Sequence, residues 1–174
     1  MPGDWFEWHA AYDGETSLRD RLEVVRTRFA EALDAQPPGP IQVISVCAGQ
    51  GRDVLPVVAR HRRRDDVVAR LVELDPRNVE VASASVRAEE LDDVKVVLGD
   101  AARTASYVGA VPADVVLVCG VFGNVTDEDI ASTIGLLPML CGRGATVIWT
   151  RGRTEPDLTP AIRGWYAERG FAEH

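Results

Sequence analysis

The acids that close apolar runs are the residues best placed to do chemistry. Glu73 ends Leu71-Val72-Glu73, and Asp100 follows the run Val94 to Leu98 after a single glycine. One carboxylate can accept hydrogen bonds from two vicinal hydroxyls at once, which is the chemistry of ribose recognition. About two dozen residues before Glu73 lies Cys47-Ala48-Gly49-Gln50-Gly51, a small-residue loop directly after the apolar run Val43 to Val46. Glycine has no Cβ, so such a loop lets main chain approach a ligand closely. Asp53 either sits at the following helix start, where the dipole favours an acid, or meets a ligand's amino group. Arg52 either pairs with a ligand carboxylate or faces solvent. Asp75, just before Pro76, is expected to cap the next helix.

A general base, if one is needed, would come from His9, Tyr12 or Asp127, in that order. His9 and Tyr12 stand in Trp5-Phe6-Glu7-Trp8-His9-Ala10-Ala11-Tyr12, a dense aromatic cluster for a chain with 6% aromatics. This stretch reads as a lid whose Trp8 helps to form an acceptor pocket, or as a helix that simply packs its rings. Asn124 either bonds to substrate or starts a turn. Cys47 and Cys119 fall at strand ends and read as small residues beneath a ligand.

These residues need elements to hold them. Leu18, Leu22, Val25, Phe29 and Leu33 recur at helical spacing over 15–35, and Gln36-Pro37-Pro38-Gly39-Pro40 ends that helix. Strands are expected at 41–47, 68–74, 94–98, 113–119 and 145–150. Helices are expected at 52–62, 76–90, 127–140 and 157–169, with Gly170 as the last cap. Near-continuous Val/Ile/Leu strands alternating with helices predict an α/β fold. Its sheet is doubly wound and mostly parallel, with helices on both faces. Residues 1–40 read as an N-terminal helical lid segment and 41–174 as the ligand-binding body of a single domain. Ligands in such sheets bind beyond the carboxyl ends of the strands, where the strand order reverses.

The 174 residues carry a net charge of -8, a poor match to phosphate backbones. The one basic run, Arg60-His61-Arg62-Arg63-Arg64, reads as a solvated helix end, so no nucleic acid partner is expected. No apolar run reaches the ~20 residues of a membrane helix, and three widely spaced cysteines suit a reducing cytoplasm. No Cys/His spacing predicts a metal site.

The order of these motifs resembles the class I S-adenosylmethionine-dependent methyltransferases over about residues 41–150. Val43-Ile44-Ser45-Val46-Cys47-Ala48-Gly49-Gln50-Gly51 is similar to the family's first motif, with Ser45 in place of the usual acid and Cys47 in place of its first glycine. The resemblance implies that Cys47, Ala48, Gly49, Gln50 and Gly51 approach the cofactor. It implies that Glu73 binds the ribose hydroxyls beside Leu74, and that Asp100 and Ala101 meet the adenine. Cys119 and Gly120 would line the methionine end, with Phe122 and Asn124 toward the acceptor. No cluster of acids after strand 4 reads as a metal site, so metal-independent transfer is expected. The absence of the Asn/Asp-Pro-Pro-Tyr pattern that resembles amino-methylating nucleic-acid enzymes, with the acidic charge, points toward a small-molecule acceptor. The family's sheet usually has seven strands. The chain stops at Phe171-Ala172-Glu173-His174, where a sixth would begin, so most of the strand 6/7 hairpin is expected to be missing and strand 5 to offer an edge for homodimerisation. A non-catalytic protein that binds the same cofactor, or a scaffold, is the alternative. A nicotinamide oxidoreductase is disfavoured, because Val54 holds the third glycine position its phosphates need.

Overall fold

The computed structural model describes residues 5–8, 16–153 and 155–174. Their elements, in chain order, are α1 (Trp5–Trp8), α2 (Thr16–Ala35), β1 (Ile41–Val46), α3 (Leu55–Arg60), β2 (Val67–Glu73), α4 (Pro76–Ala88), β3 (Val94–Leu98), β4 (Ala113–Val118), α5 (Asp127–Leu140), β5 (Cys141–Trp149) and α6 (Thr159–Glu168). The five strands form one parallel sheet in the order β3-β2-β1-β4-β5. The order reverses between β1 and β4, so a crevice opens beyond their carboxyl ends.

Alternation along each strand feeds two cores. Val43, Leu71, Val115 and Leu117 pack with Phe29 and Leu33 of α2, Val58 of α3 and Ala82 of α4 on one face. Ile44, Val72, Val116 and Val118 pack with Ile130, Ile134 and Leu137 of α5 and Ile162 of α6 on the other. Both faces are thus covered, which is why the middles of β1, β2 and β4 are mostly Val, Ile and Leu. Asp75 caps α4 by accepting the Arg77 backbone N–H at 2.9 Å, and Pro76 occupies the first turn. Thr126 and Asp129 form a reciprocal capping box on α5. After α6, Gly170 turns the chain at φ +86, and the Phe171 N–H returns to the Tyr166 carbonyl.

The structure departs from the expected elements in three places. Helix α3 is only Leu55–Arg60, because the residues before it form turns closed by the Val54 and Leu55 N–H groups on the Gly51 carbonyl. Strand β5 begins at Cys141, not Ala145: Ala113 pairs Cys141 while Val115 already pairs Thr146, so Gly142-Arg143-Gly144 bulge within the strand. The basic run is not a solvated helix end. Arg63 donates to the carbonyls of Leu33, Gln36, Pro37 and Gly39, tying the end of α2 to the start of β1, and pairs with Asp66 at 2.9 Å. Arg64 reaches the Glu89 and Glu90 carbonyls, and Arg62 pairs with Asp34.

Among the described residues, no strand follows β5, which is therefore an edge of the sheet. No helix is long and apolar enough to cross a membrane.

Candidate cofactor cleft

A cavity of about 340 Å³ opens at the switch point between β1 and β4. The ends of β1, β2, β4 and β5 bound it, and one turn of α2 closes its side. Glu73 lies in its floor, only 8% exposed. One carboxylate oxygen accepts the Gly49 N–H at 2.7 Å and the other accepts the Asp75 N–H at 2.9 Å. A carboxylate offers about four lone-pair directions, so roughly two remain open toward the cleft. Glu73 therefore holds the glycine loop in place and still presents acceptors to a ligand.

The glycine loop carries its own strain. Cys47 sits at φ +52 and Gly49 at φ +55, both left-handed. A non-glycine residue in that region costs about 1–2 kcal/mol, so the Cys47 position suits the glycine that the first motif usually has there. Packing around the Cys47 thiol, then the charges of Glu73 and Asp100, push it up to about 11, so it stays protonated near neutrality. Cys119 is likewise raised, chiefly by burial. Gly120 takes φ +75 with nothing near the place a Cβ would fill, leaving backbone open to the cleft. Gly51 serves a different purpose from the expected one. A Cβ there would come within 2.8 Å of Leu55 and 3.0 Å of Leu71, so its bareness lets α3 pack on β2.

Of the residues singled out in the sequence, Cys47, Ala48, Gly49, Glu73, Leu74, Cys119, Gly120 and Asn124 all line this cleft. Leu74 is 70% exposed, an apolar surface beside the Glu73 carboxylate. The Asn124 amide donates to the Gly120 carbonyl at 2.6 Å. Gln50 stands behind the wall, bonding Asn78 at 3.4 Å and Arg52 at 3.2 Å. Asp100 and Ala101 lie outside the lining: the Asp100 carboxylate accepts the Ala102 N–H at 2.9 Å, and the Ala101 carbonyl takes the Tyr107 hydroxyl at 2.8 Å. Phe122 corrects the expectation of an acceptor contact. It is fully buried, its ring 6.0 Å from that of Trp149, because the turn after Val121 points it into the core under α5. Asp127 lies in the first turn of α5. Trp8 closes α1. His9 and Tyr12 fall outside the described residues.

Seven lining residues were not among the sequence candidates: Arg21, Leu22, Val25, Asn78, Val121, Val125 and Thr150. Asn78, 1% exposed on the first turn of α4, faces the cleft beside Glu73; its helical position gave no signal. Thr150 accepts the Gly120 N–H at 2.8 Å and joins the ends of β4 and β5. Arg21 and Leu22 come from α2, whose amphipathic pattern marks its core face but not the turn that meets the cleft. Arg52 and Asp53 also line the cleft. Burial pushes the Asp53 carboxyl up to about 6, against its own and Val54's backbone N–H groups and the Arg26 charge.

A family profile described as "Putative methyltransferase" matches residues 14–164. The chain belongs to this methyltransferase family. No curated protein matches it in sequence. Similar folds are found in magnesium protoporphyrin IX methyltransferase from Synechocystis with bound S-adenosylmethionine (17% identity, TM-score 0.70, 98% of this chain and 82% of that one). They are found also in an O-methyltransferase family protein from Burkholderia thailandensis (18%, 0.65, 94% and 57%). A third is a methyltransferase from Geobacter sulfurreducens in complex with S-adenosylhomocysteine (20%, 0.55, 72% and 46%). The chain thus spans about half the length of the last two and about four fifths of the first.

Proposed function

We propose that this protein is a methyltransferase that uses S-adenosylmethionine to methylate a small molecule. The observation that carries this reading is the Glu73 carboxylate, anchored by two backbone N–H groups at the switch point with acceptor capacity left over. Glu73 would take the ribose hydroxyls and Leu74 would support the adenine. The main chain at Gly49 and Gly120, with Arg52 and Asp53 as opposite charges, would hold the amino-acid end. When bound, this cofactor supplies a methyl on a sulfonium, which passes to an acceptor lone pair as the C–S bonding electrons return to sulfur. The protein's part is to position the acceptor and exclude water, effects that together supply several kcal/mol, about 7–11 in favourable cases. The reading requires no metal ion, since the sulfonium already makes the methyl electrophilic.

The N-terminal segment is assigned as the lid. Phe6 lies under the Arg77 guanidinium at 4.9 Å, and Arg77 pairs with Asp75, two residues from Glu73. This brings α1 to the rim of the cleft and favours His9, then Tyr12, over Asp127 as the base for an acceptor that must lose a proton. A small-molecule acceptor agrees with the net charge of -8 and with a basic run whose Arg63 and Arg64 spend their donors on backbone carbonyls. The free cysteines suit a cytoplasmic location.

Homodimerisation would use the free edge of β5. A paired edge removes unbonded backbone groups from water. Light scattering on wild type and Thr146→Lys tests this, with a dimer expected for the first and a monomer for the second; a wild-type monomer at high concentration contradicts it. The cofactor reading is tested by titration calorimetry with S-adenosylhomocysteine and NAD. Micromolar binding of the first and none of the second is expected; the reverse contradicts it.

A further inference from the structure

We propose that the methyl acceptor is a small organic carboxylate with an apolar body, and that Arg21 is the residue that selects it. This rests on the methyltransferase reading above and adds its substrate class. The cleft has more cationic capacity than the cofactor uses. Two guanidinium groups line it, Arg21 and Arg52. Arg52 follows the glycine loop directly, bonds Gln50 at 3.2 Å and stands next to Asp53, so the two suit the carboxylate and ammonium of an amino-acid end. Arg21 comes from α2, the helix whose Arg26 donates to the Arg52 carbonyl at 2.9 and 2.7 Å. Among the described residues Arg21 has no hydrogen-bond or ion-pair partner, although its positive charge reaches the Cys119 thiol. A guanidinium turned into a cleft and left without an anion is a ready partner for a carboxylate, which it binds in a fixed fork.

The surroundings of Arg21 define the rest of the molecule. Leu22 and Val25 on α2, and Val121 and Val125 in the loop after β4, line the same cleft. Four aliphatic side chains and one unpaired cation in a single cleft match an apolar body that ends in an anion. The charge balance agrees. Arg21 and Arg52 offset Asp53 and Glu73 among the lining side chains. The bound cofactor brings a net positive charge through its sulfonium, so the loaded cleft is cationic and an anionic acceptor restores neutrality. In a cleft shielded from water this attraction is stronger than in solution.

The test uses the full chain saturated with S-adenosylhomocysteine, and two probes of the same shape, 3-phenylpropanoate and 3-phenylpropan-1-ol. Calorimetry on wild type is expected to show the carboxylate binding at least tenfold more tightly than the alcohol. Arg21→Met is expected to erase that preference while S-adenosylhomocysteine affinity stays within threefold, and Arg21→Lys to restore part of it. Equal binding of the two probes, or failure of both to bind, overturns the proposal. So does a tenfold loss of S-adenosylhomocysteine affinity in Arg21→Met, which would give Arg21 to the cofactor. Absence of S-adenosylhomocysteine binding to wild type would instead overturn the cofactor reading itself, so the two failures are distinguishable. Circular dichroism confirms that each variant is folded.

Discussion

Replacing Glu73 with Gln separates the two duties of this side chain. The carboxylate has about four acceptor directions. The Gly49 and Asp75 N–H groups take one each, at 2.7 and 2.9 Å, which leaves about two for the ribose hydroxyls. A glutamine has one oxygen and one NH2. Its NH2 must face either a backbone N–H or a hydroxyl that the carboxylate would have accepted. Hydrogen bonds to a charged group contribute about 1.5–3 kcal/mol each. Weakening both ribose bonds while keeping one neutral acceptor should therefore cost about 2–4 kcal/mol of binding, or roughly 30- to 700-fold in Kd. The buried N–H left facing the new NH2 should cost about 1–3 kcal/mol of stability. For a chain of this size each kcal/mol corresponds to about 2–4 °C in Tm. The assay is calorimetry with S-adenosylhomocysteine and with its 2′-deoxy analogue, alongside thermal denaturation. The penalty should shrink against the deoxy ligand, because one of the hydroxyls it depends on is gone. A folded Glu73→Gln protein that binds S-adenosylhomocysteine within threefold of wild type would refute the ribose assignment.

Other outcomes follow from the same geometry. Asp53, raised to about 6 from an ordinary carboxyl value of 3.8, should be ionised to hold a ligand ammonium, so S-adenosylhomocysteine affinity should fall about tenfold from pH 7 to pH 5. Its elevated folded-state pKa means the native chain holds the extra proton between about pH 4 and 6, so unliganded stability should decline as pH rises through that window. Asp53→Asn should flatten both profiles, and unchanged profiles would exclude Asp53 as their source. Arg63→Ala should cost about 2–4 kcal/mol through the carbonyls it leaves without donors. Arg63→Lys should recover less than half, because an ammonium cannot span that set of acceptors; equal Tm values for all three proteins would contradict it.

Much of this was legible because strand patterning is a strong signal. Val43 to Val46, Leu71 to Glu73 and Val115 to Val118 can be little else than strands buried on both faces, and their order forces the crevice where Glu73 sits. Asp75-Pro76 announced its own cap. What escaped depends on direction rather than type. The position of Phe122 after β4 does not say whether the turn aims the ring at the cleft or the core. Gly142-Arg143-Gly144 reads as a loop because a bulge and a turn use the same residues. Arg63 looked like surface charge because its partners are carbonyls about 25–30 residues away, and no local pattern encodes them. Arg21 and Asn78 are polar residues on helices, where a solvent-facing position and a cleft-facing one have the same spacing.

The most direct measurement is a crystal structure of the protein soaked with S-adenosylhomocysteine. The account predicts both ribose hydroxyls on the Glu73 carboxylate, with Gly49 and Gly120 backbone against the amino-acid end. A soaked crystal with ligand elsewhere, or with Cys47 filling the cleft and Glu73 untouched, would contradict it.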